Sequence, residues 1–281
     1  MKVLVFGATG QVATQLQRQA TVQALGREQA DLADPAACAR IIAETDADIV
    51  INAAAYTAVD AAETDEALAV LVNGDAPTQM AQAATARGIP FLTISTDYVF
   101  DGQGSDPHSL DTPTNPINAY GRSKLAGEIG VRSAGGAHAI LRTSWVFSAH
   151  GNNFVKTMLR LGAERDELRI VSDQIGGPTA AADIAKCLLS MAEKMVHGHA
   201  GGTYHYASTP NVSWADFARE IFDQAGLSAA VTGIPTAQYP TPAARPLNSR
   251  LDCAALTADF GITQPDWKTS LAKVIDDLKR A

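Results

Sequence analysis

Short apolar runs alternate with longer amphipathic segments along the first half of the chain. The runs are rich in β-branched and aromatic residues and predict strands at 3–6, 22–25, 49–53, 89–95 and 139–143. The segments between them predict helices at 11–19, 35–44, 66–87 and 120–131. Strands that alternate with helices in this way are typical of a parallel sheet covered on both faces.

The second half has a more mixed pattern. It predicts helices at 153–164, 181–194, 214–224 and 267–279, and a proline-rich stretch at 234–246 that cannot form a regular helix. We therefore expect an α/β fold with a Rossmann-type, doubly wound parallel sheet over residues 1–150. Residues 151–281 are expected to form mainly a smaller, mixed α/β substrate-binding lobe, although strands of the two parts could interleave.

A glycine turn joins the first predicted strand to the first predicted helix. Gly7 and Gly10 would let the backbone approach a pyrophosphate, and Gln11 and Val12 open a helix whose N-terminus presents free N–H groups to it. The third small position is Ala13 rather than glycine, so the strict dinucleotide fingerprint is not met. A plain strand-to-helix turn is the alternative.

The end of the second predicted strand bears on the choice of cofactor. A dinucleotide site for NADH usually has an acidic residue here, whereas this chain has Arg27. A guanidinium suits a 2′-phosphate, because its planar fork can donate two charge-assisted hydrogen bonds. NADPH is therefore favoured, with NADH possible, and a solvated surface arginine is the alternative.

Tyr120 and Lys124 form the strongest catalytic candidate. Residues four apart share one face of a helix, so the Lys124 ammonium is expected beside the phenol and should lower its pKa. That would make Tyr120 a better general acid. Thr96, at the end of the preceding strand, can donate or accept a hydrogen bond at the same edge. The spacing alone is common by chance, but the three side chains together indicate carbonyl reduction.

Composition limits the partners and the compartment. The net charge of −8 gives no basic field for nucleic acid, so none is expected as a partner. The three cysteines, Cys38, Cys187 and Cys253, lie far apart and form no pair at metal-ligand spacing, which favours a reducing compartment. The first apolar run is too short for a signal peptide and no membrane-spanning run stands out, so we expect a cytoplasmic protein that does not bind membranes.

With these residues in view, nearly the whole chain resembles the dTDP-4-dehydrorhamnose reductases, a family of extended short-chain dehydrogenases. The Tyr-x-x-x-Lys and glycine motifs belong to the whole superfamily. The Ser-Thr-Asp-Tyr-Val-Phe sequence at 95–100 and the Thr-Ser-Trp sequence at 143–145 are more specific to this family. The matching segments are 7–12, 52–60, 95–100, 120–128, 141–146, 151–154, 172–179 and 245–250.

The resemblance implies hydride transfer from NADPH to C4 of dTDP-4-dehydro-L-rhamnose, giving dTDP-L-rhamnose, with Tyr120 as proton donor. It also implies that Lys124 holds the nicotinamide ribose and that Thr96 tunes the proton transfer. The further cofactor contacts it implies are Asp31, Leu32, Ala55, Tyr56 and Thr57. The substrate contacts it implies, besides Thr96, are Asp97, Trp145, Asn153 and, for the diphosphate, Arg245.

Alternative functions remain open from the sequence. A nucleotide-sugar epimerase or dehydratase would keep the same motifs, and so would a non-catalytic regulatory subunit that binds NADP. Some family members dimerise through magnesium held by carboxylates, but Gln15 and Ala182 stand at the matching positions here and cannot supply anionic oxygens. We expect no metal site, and either a monomer or a homodimer.

Overall fold

A six-stranded parallel sheet lies at the centre of the computed structural model, which describes residues 1–280; Ala281, the last residue of the predicted second lobe, lies outside them. The strands are β1 (Val3–Phe6), β2 (Gln23–Leu25), β3 (Ile49–Asn52), β4 (Phe91–Thr96), β5 (His138–Thr143), β6 (Val146–Phe147), β7 (Glu167–Val171), β8 (Ile175–Gly176), β9 (Thr179–Ala180), β10 (Gly201–His205), β11 (Val212–Ser213), β12 (Ala230–Ile234) and β13 (Asn248–Ser249). The spatial order of the central sheet is β10-β5-β4-β3-β1-β2.

Helices cover both faces of this sheet, and further helices belong to a second lobe. The helices of the chain are α1 (Gln11–Gln19), α2 (Pro35–Glu44), α3 (Val59–Ala62), α4 (Glu66–Val70), α5 (Ala76–Arg87), α6 (Ala119–Ser133), α7 (Phe154–Glu164), α8 (Ala181–Val196), α9 (Trp214–Ala225), α10 (Ala254–Phe260) and α11 (Trp267–Arg280). None of these helices is long and apolar enough to cross a membrane.

The two faces have separate apolar cores. On one face, Leu16 of α1 and Leu188 of α8 pack against the sheet, and on the other Ile42 of α2 and Met80 of α5 do so. Strand β1 lies between the two cores, so all four of its residues are buried. Burial on both faces explains its continuous apolar run. The predicted Rossmann-type, doubly wound fold is confirmed.

The predicted helix at 66–87 differs from the structure. It is divided into α4 and α5 by a π-helical turn, Leu71–Asp75. Pro77 lies in the first turn of α5 and has no N–H to donate to the carbonyl of Asn73, which would be its α-helical acceptor. That carbonyl instead faces Gly127 of α6, where an added Cβ would lie 2.1 Å from it. The wide turn thus lets α6 pack closely beside it.

The chain does not divide cleanly at residue 150. Helix α8 packs on α1, and β10 pairs with β5 at the edge of the central sheet, so both belong to the first layer despite their position after residue 150. The remaining elements form a second lobe, in which α7, α9 and α11 surround a core that contains Phe217 and Trp267. Strand β7 pairs with β12 in this lobe, and β8 pairs with β11 and β13.

Candidate active site

A cavity of about 830 Å³ opens at the carboxyl ends of the central strands. This is the edge where open parallel sheets bind ligands, because the loops there diverge and leave a crevice. Most of the predicted cofactor residues line it: Gly7, Gly10, Gln11, Val12, Arg27, Asp31, Leu32, Ala55, Thr57, Tyr120 and Lys124.

The glycine turn of this cavity fits a dinucleotide pyrophosphate. Gly7 has a φ of +107°, a conformation that L side chains rarely adopt, and a Cβ there would lie 3.3 Å from the backbone of Ala53. Gly10 then caps α1, whose first turn carries no acidic side chain. The N–H groups of that turn have no helical acceptor and are available to an anion.

Arg27 lies at the far end of the same cavity. Its side chain is 78% exposed, and its Nε lies 3.6 Å from a carboxylate oxygen of Asp31. An exposed pair at this distance is weak and restrains the guanidinium little. Arg27 is therefore free to turn toward a 2′-phosphate, beside Leu32 on the cavity wall.

Tyr120 and Lys124 lie on the first two turns of α6. Asn118 caps this helix by accepting a hydrogen bond from the N–H of Gly121 at 2.7 Å. A Cβ on Gly121 would lie 2.1 Å from the carbonyl oxygen of Tyr98, so only glycine lets α6 approach the turn that follows β4 so closely. This approach brings Tyr120 to the end of β4, beside Thr96.

The Lys124 ammonium is buried and donates to the carbonyl of Ile94 at 2.7 Å. Burial lowers its pKa to about 8, and the nearby carboxylate of Glu128 opposes that shift. Burial also raises the pKa of Tyr120, as does the Asp97 carboxylate, while the hydroxyl of Thr96 lowers it. The prediction that Lys124 lowers the pKa of the phenol is thus wrong for this structure, because burial dominates and the ammonium is turned toward β4.

Asp97 is buried at the junction of β4 and α6. One of its carboxylate oxygens accepts a hydrogen bond from the Thr96 hydroxyl at 3.1 Å, and the other, Oδ2, has no hydrogen-bond partner among the described residues. Burial raises the pKa of this carboxyl to about 6, against the lowering effect of the Ser249 and Thr96 hydroxyls. A buried acceptor without a partner has capacity to bind a hydroxyl group of a ligand.

Trp145 is held between two neighbours. It has a φ of +49°, and it is the single non-glycine residue with a positive φ among residues 1–280. Its ring stacks on Trp214 with centroids 3.6 Å apart. On its other side lies Gly176, where an added Cβ would be 2.9 Å from the Trp145 ring. Backbone strain of this kind persists only where the surroundings enforce it, and it is concentrated at functional sites.

A second cavity of about 730 Å³ adjoins the first and shares Tyr98 and Trp214 with it. Arg245 lines this second cavity and forms a bidentate ion pair with Asp60, in which Nη1 and Nη2 each lie 2.9 Å from a carboxylate oxygen. Arg245 also donates to the Thr241 hydroxyl at 2.7 Å. Arg245, the residue predicted to bind the diphosphate, therefore lies in a different cavity from the glycine turn, and its contacts hold the guanidinium in a fixed orientation.

Two predicted site residues lie outside the linings of both cavities. Asn153 caps α7 by accepting from the N–H of Lys156 at 3.2 Å, and its amide donates to Gln11 at 3.1 Å. It thus fixes the start of α7 against α1. Tyr56 exchanges two backbone hydrogen bonds with the side chain of Asn73, and its ring packs among apolar side chains.

The sequence did not single out Trp214, Gln174 or Asp60 as site residues. Trp214 follows the helix cap Ser213, and its indole N–H donates to Gln174 at 3.1 Å. Trp214 is the first residue of an amphipathic helix and is partly exposed. A tryptophan at such a position was a usable sequence signal for a ligand site. Nothing local in the sequence pairs Asp60 with Arg245, which is 185 residues away.

No group of three or more His, Cys, Asp and Glu side chains that could hold a metal ion occurs among residues 1–280.

Comparison with known proteins identifies the family. The sequence model described as the RmlD substrate binding domain matches residues 1–280. A dTDP-4-dehydrorhamnose reductase of Burkholderia thailandensis is 45% identical, with 99% of each chain covered. The crystal structure of a dTDP-4-dehydrorhamnose reductase from Clostridium acetobutylicum has a TM-score of 0.93 at 38% identity, and covers 99% of this chain and 100% of its own.

The crystal structure of the Bacillus anthracis dTDP-4-dehydrorhamnose reductase in complex with NADP has a TM-score of 0.92 at 36% identity. It covers 99% of this chain and 100% of its own. Identity at this level over full length, together with a match of the sequence model to residues 1–280, exceeds what a shared fold alone would give. The chain belongs to the dTDP-4-dehydrorhamnose reductase family.

Proposed function

We propose that this protein is an NADPH-dependent oxidoreductase that reduces the C4 keto group of dTDP-4-dehydro-L-rhamnose to give dTDP-L-rhamnose. One observation carries the proposal beyond family membership: Tyr120 lines the first cavity next to a residue that lines both cavities. Its ring is 5.8 Å from that of Tyr98, which lines both cavities. A proton donor at this boundary can serve a substrate in one cavity and a cofactor in the other.

The first cavity would hold NADPH. The turn from Gly7 to Gly10 and the N-terminus of α1 would bind its pyrophosphate, and Arg27 its 2′-phosphate. Leu32 would contact the adenine and Lys124 the nicotinamide ribose. When bound, NADPH supplies the hydride that adds to the sugar carbonyl carbon.

Tyr120 would supply the proton. Its raised pKa keeps the phenol protonated throughout the neutral range, so it can give a proton to the carbonyl oxygen as the hydride reaches the carbon. The phenolate that remains would accept a hydrogen bond from the Thr96 hydroxyl. A solvent proton would then restore the phenol.

The second cavity would hold the nucleotide diphosphate. Arg245 would bind the diphosphate, and its ion pair with Asp60 orients the guanidinium before the substrate arrives, which lowers the entropic cost of binding. The sugar would extend from there toward Tyr120, past Trp145 and the unpaired oxygen of Asp97.

The test is an assay of purified protein with NADPH and dTDP-4-dehydro-L-rhamnose. We expect NADPH to be oxidised in equal amount to the dTDP-L-rhamnose that forms, and Tyr120→Phe to abolish most of the rate. An epimerase or dehydratase would change the sugar without net consumption of NADPH. A regulatory subunit would bind NADPH and turn nothing over, and either result would overturn the proposal.

A further inference from the structure

A buried ion pair lies one helical turn beyond Lys124. Glu128 follows Lys124 by four residues on α6, and its side chain is only 1% exposed. Its carboxylate accepts hydrogen bonds from Arg142 at 2.6 and 2.8 Å. It also accepts from the Ser95 hydroxyl at 2.6 Å and from Arg132 at 3.1 Å. Four donors satisfy this carboxylate, so it stays ionised despite its burial.

These contacts join the catalytic helix to the catalytic strand. Ser95 lies on β4 between Ile94, whose carbonyl accepts from the Lys124 ammonium, and Thr96. Glu128 and Lys124 therefore hold α6 against adjacent residues of one strand. A change at Glu128 would alter both the position of α6 and the charge near the ammonium.

We infer that Glu128 is a positioning residue for the reduction: it fixes α6 on β4 and its negative charge keeps the Lys124 ammonium protonated. This inference rests on the proposed function only for its effect on turnover. Its effect on Lys124 is a property of the folded protein and can be measured without substrate.

Other acidic groups near α6 are engaged elsewhere. On α4, Glu66 pairs with Arg122, and Glu63, after α3, accepts a hydrogen bond from the N–H of Ala119 at the start of α6. Asp97 acts on the pKa of Tyr120. Among the described residues, Glu128 is thus the one carboxylate that opposes the effect of burial on Lys124.

Glu128 is the one carboxylate that pairs with Arg142 among residues 1–280. Arg142 on β5 also contacts His205 on β10, with 3.3 Å between Nη1 and Nε2, and lies over the ring of Phe100 at 5.0 Å. Burial and the charge of Arg142 lower the pKa of His205 to about 4, so this imidazole is neutral at physiological pH. Removal of the Glu128 charge would leave Arg142 buried and unpaired, which is strongly destabilising.

The experiment measures Lys124 directly in the whole protein. Trace acetylation with acetic anhydride at a series of pH values, followed by mass spectrometry of the Lys124 peptide, gives the pH at which this amine is half protonated. We expect that midpoint to fall by about 0.5 to 1 pH unit in Glu128→Gln, and to move much less in Glu128→Asp, which keeps the charge.

Arg122→Gln is the matched control, because it breaks an ion pair on the same helix that is about half exposed. We expect it to leave the midpoint unchanged. If thermal unfolding shows that Glu128→Gln does not fold, the double variant Glu128→Gln with Arg142→Met is used in its place. It removes both buried charges, and we expect it to lower the acetylation midpoint of Lys124 as well.

Turnover supplies the second readout. In Glu128→Gln the alkaline decline of kcat/KM should shift to lower pH together with the acetylation midpoint, whereas a purely structural role would lower the rate without shifting the profile. An unchanged acetylation midpoint in folded Glu128→Gln overturns the inference. Wild-type protein that binds NADPH but never reduces the sugar overturns the proposed function and leaves the acetylation result standing.

Discussion

The two cavities have walls of different origin. The first is lined mainly by the ends of neighbouring strands and the turns that follow them, so most contributing segments are local strand-turn-helix units; Trp214 joins them from the second lobe. The second brings together segments that are far apart in the chain, such as Asp60 and Arg245. Docking of the second lobe on the sheet therefore determines the second cavity, whereas local sequence determines the first.

This difference implies a division of roles. Changes confined to the first cavity should alter cofactor affinity, and changes confined to the second should alter substrate affinity. Changes at the boundary, where Tyr98 and Trp214 line both cavities and Tyr120 lies beside Tyr98, should alter turnover or both affinities.

The largest effect is expected at the boundary. Tyr120→Phe should keep NADPH affinity but lower kcat about 10²- to 10⁴-fold, the usual contribution of a general acid. Tyr204→Phe is a matched control, since Tyr204 lies on β10 away from the site and its hydroxyl donates to Asp259 of α10; this variant should retain near-normal turnover. Steady-state kinetics and NADPH titration separate the outcomes; equal turnover in both variants would remove Tyr120 from the mechanism.

The second cavity should show the next effect. Arg245→Ala should raise KM for the nucleotide sugar roughly 10- to 100-fold, as loss of charge-assisted hydrogen bonds to a diphosphate predicts. NADPH affinity should stay the same. Arg160→Ala, on the exposed face of α7, is the control. A rise in the Kd for NADPH with no change in KM for the nucleotide sugar would show that Arg245 acts on the cofactor and does not bind the diphosphate of the sugar.

The first cavity is tested by Arg27→Ala. This variant should weaken the binding of NADPH about tenfold and leave the binding of NADH nearly unchanged, because only NADPH carries the 2′-phosphate. Fluorescence titration with both cofactors measures this. A similar loss for NADH would mean that Arg27 supports the fold of the turn and does not read the phosphate.

The smallest effect should come from the stacked pair. Trp214→Leu removes the ring that holds Trp145, and an aromatic pair contributes about 0.5 to 1.5 kcal/mol beyond the area it buries. We expect about a 2- to 10-fold loss in kcat/KM for the nucleotide sugar, with little change in NADPH affinity. If only thermal stability falls, the stack is structural.

The sequence predicted the first cavity well because its signals are local. The turn at Gly7, the exposed Arg27 and the Tyr120 and Lys124 pair each lie within one strand-turn-helix unit, and the structure brings them to one cavity. The structure places Asn153 outside the linings of both cavities, because a motif position does not reveal the direction of a side chain and this residue caps α7.

Two further features depend on contacts outside local sequence. Elements of the two parts interleave, as the sequence analysis allowed, because β10 pairs with β5, a contact between residues more than 60 positions apart that no local pattern contains. The expected effect of Lys124 on the phenol failed because spacing says nothing of burial, which here dominates both pKa values.

We propose that hydride passes from the cofactor in one cavity to the sugar in the other, beside Tyr120. Transfer of deuterium from labelled NADPH to the product tests this most directly. Protein is supplied with NADPH that carries deuterium at the transferred position and with dTDP-4-dehydro-L-rhamnose, and the product is analysed by mass spectrometry and NMR. We expect one deuterium in each product molecule, bonded to C4 of the sugar. Product without deuterium at C4, or a sugar altered while the cofactor keeps its label, would contradict it.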